Sequence, residues 1–151
     1  MNLEQAIQQT KFTTPEIKLN LNFIYTYNHY LERQKIYFSK YAITQQQYNV
    51  LRILRGNMPA PYSTSQIRDR MLDKMSDTSR IVDRLVKKDL VNRTINKSDK
   101  RLVDVVISEK GLALLKQMDL TIKDNANDMF RHFSNEEKEL FYTLLDKLRK
   151  N

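Results

Sequence analysis

The sequence predicts a mainly α-helical chain with one small β hairpin, and three observations carry that prediction. Only 2 Gly and 3 Pro occur in 151 residues, so little interrupts helices and a turn-rich all-β fold is disfavoured. Apolar residues keep helical spacing through both ends of the chain. After Leu90 the apolar period drops from about 3.6 to about 2 for one short stretch.

Thr14, Pro15 and Glu16 open the first long helix: a hydroxyl cap, a proline whose missing N–H costs nothing there, and an acid in the first turn. The helix is expected to reach about Lys40. Ile17, Leu21, Ile24, Tyr27 and Leu31 recur at spacings of 3 and 4 and predict one buried face. Phe23, Tyr25, Tyr30, Tyr37 and Phe38 form a second apolar face, and a helix with two apolar faces needs two partners.

Thr44 caps a shorter helix with Tyr48, Leu51, Ile53 and Leu54 inward, ending at Gly56. Asn57 to Tyr62, holding Pro59 and Pro61, is a loop. Ser63 or Thr64 opens a helix to about Leu72, Asp73 to Met75 turns, and Ser76 caps a helix to about Lys88. Two short helices joined by a tight turn make a helix-turn-helix. Val91, Arg93 and Ile95, then Leu102, Val103, Val105 and Val106, predict two strands joined by the polar run Asn96 to Arg101. The expected product is a two-stranded hairpin with a basic tip, a wing.

From Ser108 a long helix is expected over six turns, carrying Leu112, Leu115, Met118, Ile122, Ala126, Met129 and Phe133. Ser134 and Glu137 form a capping box for a final helix with Leu140, Phe141, Leu144, Leu145 and Leu148 on one face. The expected organisation is a single domain, residues 1–151: a winged helix-turn-helix lobe at 44–107, with helices at 14–40 and 109–149 forming a dimerisation bundle.

The formal charge is +8, and it is uneven: residues 44–107 hold 13 Lys and Arg against 7 Asp, while the remainder holds 13 against 11. The middle of the chain therefore faces polyanions, although charge alone also suits acidic proteins or membranes. With 0 Cys, disulfides, thiolate zinc sites and thiol redox sensing are excluded. The start of the chain carries no secretory pattern and no run approaches a membrane span, so a cytoplasmic protein with no membrane partner is expected.

The order of these elements and several separated motifs resemble the MarR family of bacterial winged helix regulators. The match runs through Ser76-Asp-Thr-Ser-Arg-Ile-Val-Asp-Arg-Leu-Val-Lys-Lys-Asp-Leu-Val-Asn-Arg93, then Asp99-x-Arg101 and Val-Ile-Ser-Glu-Lys-Gly111, with Ile43 to Leu51 in support. Two places depart from the family pattern: Asp89 stands where the family usually has Gly, and the loop with Pro59 and Pro61 is longer. The resemblance implies a homodimer on double-stranded DNA, a regulator and most simply a repressor binding a palindromic operator with half-sites about 10 bp apart.

In a helix-turn-helix the second helix enters the major groove. Ile81, Val82 and Leu85 are expected to anchor it, leaving Ser76, Ser79, Arg80, Asp83, Arg84 and Lys87 outside. Arg80 is the expected base reader, since a guanidinium bonds guanine O6 and N7 together; an exposed arginine paired with Asp83 is the plainer alternative. Ser76 and Ser79 suit phosphate or a base, with helix capping the simpler role for Ser76, and Arg84 and Lys87 suit phosphate or open solvent. Thr64, Ser65 and Gln66 are expected to touch the DNA backbone and set register. At the wing, Arg101 suits a narrow minor groove, and Lys97 and Lys100 add phosphate attraction. By the resemblance, Asp99 holds Arg101; forming the turn alone is the other reading.

The resemblance also implies release from DNA by a small amphipathic or phenolic ligand, for which Tyr27, Tyr30, Tyr37 and Tyr48 are the candidate lining, with core packing the alternative. His29 and His132 are far apart and lack clustered ligands, no phosphate loop or catalytic triad order occurs, and so neither a metal, a cofactor nor an enzyme is expected. Two rivals are a winged helix module that binds an acidic protein and a nonspecific nucleoid DNA binder. Neither needs Arg80 together with the Asp99 and Arg101 wing.

Overall fold

The computed structural model describes residues 1–96 and 98–150. Its elements are α1 (Leu3–Ala6), α2 (Pro15–Ser39), α3 (Gln45–Arg55), β1 (Tyr62–Ser63), α4 (Thr64–Arg70), α5 (Thr78–Val86), β2 (Val91–Ile95), β3 (Val103–Ile107), α6 (Glu109–Asp119), α7 (Ile122–Met129) and α8 (Asn135–Leu148). The mainly helical class and the hairpin wing are as the sequence predicts.

Helix starts follow the local chemistry of unsatisfied N–H groups. Thr14 accepts from the Ile17 N–H at 3.3 Å and Thr44 from Gln47 at 3.2 Å, and Ser134 forms the expected box with Glu137. Of the two candidates for α4, Ser63 is the cap. One short helix, α1, was not anticipated, although Asn2 and Gln5 form a reciprocal capping box, and Glu4 pairs with Lys18 to tie it to α2.

Five expectations need correction. Helix α4 stops at Arg70, before Leu72: Met71 turns extended with its side chain buried, and Asn49 Oδ1 accepts the Leu72 N–H at 2.9 Å. The cap of α5 is Asp77, not Ser76; Asp77 accepts the Arg80 N–H at 3.1 Å, while Ser76 donates to Asp73 at 2.6 Å. The sheet has three antiparallel strands in the order β1-β3-β2, because Tyr62 and Ser63 pair with Val105 and Asp104 along the outer edge of β3. A two-residue strand has no alternation to read, but it covers an otherwise open edge.

The fourth correction concerns the long helix after Ser108, which breaks at Leu120 and Thr121 and ends at Met129. Thr121 Oγ1 lies 3.0 Å from the Tyr37 hydroxyl and 2.6 Å from that of Tyr41, so it is drawn out of the helical path and gives α7 no side-chain cap. Burial is the main influence raising the Tyr37 phenol above its ordinary pKa. Beyond α7, Phe130 and Phe133 meet edge to face and Phe141 of α8 packs tilted against both, where the chain turns into α8. Fifth, the first apolar face of α2 is not buried within the chain: Ile17, Ile24, Tyr27 and Leu31 are exposed, as are Leu140, Leu144 and Leu148 of α8.

The core lies among α3, α4, α5, the sheet and α6, joined by the last turn of α2. Val50, Leu51, Ile67, Leu85, Val105, Leu115 and Met118 are essentially inaccessible, each large aliphatic side chain contributing roughly 1.5–3 kcal/mol by burial. Gly111 makes a backbone contact that no other residue allows: a Cβ there would collide with the Leu90 carbonyl oxygen and lie 2.8 Å from Ile107 Cγ1. Leu90 in turn accepts the Ser108 N–H at 3.1 Å, which seats the start of α6 against the base of the wing.

Candidate nucleic-acid interface

Helix α5, the second of the helix-turn-helix, is held by Val82 and Leu85, both buried, and by half-buried Ile81. A 3.6-residue period then turns Ser79, Arg80, Asp83, Arg84 and Lys87 outward, and all five are exposed. Arg80 does not pair with Asp83. The carboxylate of Asp83 instead accepts from Arg93 on β2, and among the described residues the Arg80 guanidinium has no ion-pair partner.

At the start of this helix, Ser76, Ser79, Thr64 and Ser65 converge with Arg68, Asp77 and Thr78 around a notch of about 190 Å³. Hydroxyls and a guanidinium gathered there suit a backbone phosphate. Gln66 has a different job: its Oε1 accepts the Ser63 N–H at 2.8 Å, so its amide serves the cap of α4. Arg84 and Lys87 are not part of the notch. They flank a groove of about 760 Å³ that also takes in Lys35, Ile43 and Lys88, toward the α2–α3 connection.

At the wing tip, Asp99 does both things the sequence left open. Its Oδ1 accepts the backbone N–H of Arg101 at 3.0 Å, closing the turn, and its two oxygens accept Nε and Nη2 of the same residue at 3.1 Å each. The Arg101 side chain is 90% exposed despite this clamp, so the guanidinium is oriented yet fully presented. The hydrogen bond from Arg101 is also the main cause that lowers the Asp99 carboxyl below its ordinary pKa. Asn96 supports the tip from below, donating to Asp104 and accepting the Ser98 and Asp99 N–H groups. Lys100 is exposed beside Arg101, and Lys97 lies outside the described residues.

Sequence reasoning passed over Arg68, Asp77 and Arg93. Arg68 stands three residues after Ser65 and therefore on its face of α4, a spacing that was available. Asp77 is an N-cap type as good as Ser76, and choosing between neighbours needed the turn geometry. Arg93 shares a strand face with Val91, but its reach to Asp83 depends on how β2 packs against α5.

The four tyrosines proposed as a pocket separate. Tyr30 and Tyr48 line a cavity of about 270 Å³ with Gln34, Asn49, Leu72 and Phe130, their hydroxyls bonded to Gln45 and Arg52. Tyr37 is buried in the Thr121 network and Tyr27 is exposed on α2, so neither is on that wall. Among the described residues no group of three His, Cys, Asp or Glu could hold a metal ion, and no helix is long and apolar enough to cross a membrane.

A sequence model of the MarR family matches residues 43–103. The HTH-type transcriptional regulator PecS of Dickeya dadantii (strain 3937) is 30% identical over 116 residues, spanning 76% of this chain and 69% of PecS. The chain belongs to the MarR family. It is a DNA-binding transcriptional regulator and not an enzyme. A MarR transcription factor from Planctomyces limnophilus shares the fold with a TM-score of 0.70 at 29% identity, covering 90% of this chain and 98% of its own. A cysteine-to-serine mutant of E. coli MarR, in a complex with operator DNA, superposes with a TM-score of 0.75 at 25% identity, over 99% of this MarR-family chain and all of the other. The match of the family model, residues 43–103, contains the notch and the reading helix, and it reaches through the wing tip.

Proposed function

We propose that this MarR-family protein is a cytoplasmic repressor that grips a palindromic operator as a homodimer, near its own promoter. The observation that carries the reading is the pair of presented guanidiniums: Arg80 on the outward face of α5, without an ion-pair partner among the described residues, and Arg101 clamped but open at the wing tip. In this reading Arg80 bonds guanine in the major groove, Arg101 enters the adjacent minor groove, and Ser76, Ser79, Thr64, Ser65 and Arg68 hold phosphate around the notch. Lys100, Arg84 and Lys87 add attraction without sequence preference.

Two copies are needed to read two half-sites, and the exposed faces of α2 and α8 support a bundle between them. The break after Asp119 leaves α7 and α8 as separate helices, and α8 brings its own exposed apolar face to that bundle. Release by a small amphipathic or phenolic ligand fits the cavity of Tyr30 and Tyr48, because its wall includes Leu72 in the turn just before the reading helix. A ligand there favours dimers whose reading helices are misplaced.

The test is fluorescence anisotropy on duplex DNA from upstream of the protein's own gene and on scrambled duplex, at two salt concentrations. A strong preference for upstream DNA, lost with salt and reduced in Arg101→Ala, is the expected result. Equal weak binding to both duplexes would favour the nonspecific binder, and no binding at either salt would favour an acidic protein partner.

A further inference from the structure

Asp83 is the single carboxylate within the reading helix α5, and it points outward among Ser79, Arg80, Arg84 and Lys87. A bare carboxylate there would face the phosphates that the rest of this surface attracts. Neighbouring acids are occupied locally: Asp73 by Ser76 and the Met75 N–H, Asp77 by the Arg80 N–H, and Asp99 by Arg101. Asp83 instead draws its partner from another element, Arg93 of β2. Arg93 stands two residues beyond Val91, which is buried, on the strand that packs against α5. Both side chains of the pair stay near half exposed, 44% and 50%, so the pair lies open on the surface.

We propose that Arg93 is a positioning residue for DNA binding that acts through Asp83: it neutralises that carboxylate and ties the wing strand to the reading helix, rather than gripping phosphate itself. The proposal rests on the DNA-binding reading of this surface. Its signature is dependence on Asp83, which a direct phosphate contact lacks.

The probe is a duplex enriched from random-sequence DNA by the native protein. Affinities for it are measured for native protein, Arg93→Gln, Asp83→Asn and the double variant. Arg93→Gln is expected to weaken binding about tenfold, the cost of one unmasked like charge. Asp83→Asn should stay within about twofold of native, and the double variant should match Asp83→Asn, giving a coupling that a cycle resolves. Melting temperatures should agree within about 2 °C, since an exposed pair contributes little to folding. An equal loss from Arg93→Gln in both backgrounds would overturn the proposal in favour of direct phosphate contact. Losses that follow a fall in melting temperature would overturn it in favour of a structural role. Enrichment of no duplex would sink the DNA-binding reading and this one with it.

Discussion

Arg101 is oriented by the two hydrogen bonds its side chain donates to one carboxylate, and those bonds favour the charged form of Asp99. The sign of the pH effect follows. A carboxyl whose folded pKa is depressed contributes an interaction that is present above the unfolded value and lost as pH falls through the folded one. The Asp99 carboxyl, observed by NMR, is therefore expected to titrate below 3.8, and to return toward that value in Arg101→Ala. On upstream DNA, Arg101→Ala should weaken binding about tenfold or more, the scale of one lost groove contact. At Asp89 the backbone is left-handed, with φ of 59°. Asp tolerates this and a β-branched side chain does not, so Asp89→Val should lower unfolding free energy by about 1–3 kcal/mol in a urea titration.

The reading helix is short, nine residues, and its first turn depends on one side chain. Asp77→Ala should cost about 1 kcal/mol of stability and weaken DNA binding with it, because the fraying turn carries Ser79 and Arg80. Ser76→Ala, whose hydroxyl braces Asp73 and caps no N–H of α5, should stay within about 0.5 kcal/mol of native stability. That pair of denaturant curves distinguishes the two candidate caps. The seat of α6 invites a similar test: Gly111→Ala pushes a methyl into the Leu90 carbonyl, and a loss of about 1–3 kcal/mol is expected.

Across the whole molecule, apolar side chains are left over. The faces of α2 and α8 carry Ile17, Ile24, Leu140, Leu144 and Leu148 to solvent, more than scattered single residues need explain. A charge placed in that surface should separate the copies while leaving the winged lobe folded. Leu144→Glu is expected to sediment as a monomer, keep its helical circular dichroism, and bind operator about 100-fold more weakly, since two half-sites must then be found independently. A dimer of unchanged affinity would remove α8 from the proposed bundle.

What could be read from residues alone is what short-range chemistry decides. Thr14, Thr44 and Ser134 announced helix starts because an N-cap needs only its own next three residues. Val91 to Ile95 and Val103 to Ile107 announced the hairpin because alternation is a local property of strands. The apolar spacing of Ile81, Val82 and Leu85 marked which residues of α5 turn outward. Contacts between distant segments could not be read that way. Tyr37 and Tyr41 break a helix 80 residues later at Thr121, β1 forms only because β3 has a free edge, and Arg93 claims Asp83 because β2 lies against α5. The same holds for the pocket, which kept Tyr30 and Tyr48 and dropped Tyr27 and Tyr37. Periodicity assigns a residue to a face, but which surface meets that face is set by the packing of the whole chain, which brings together segments far apart in sequence.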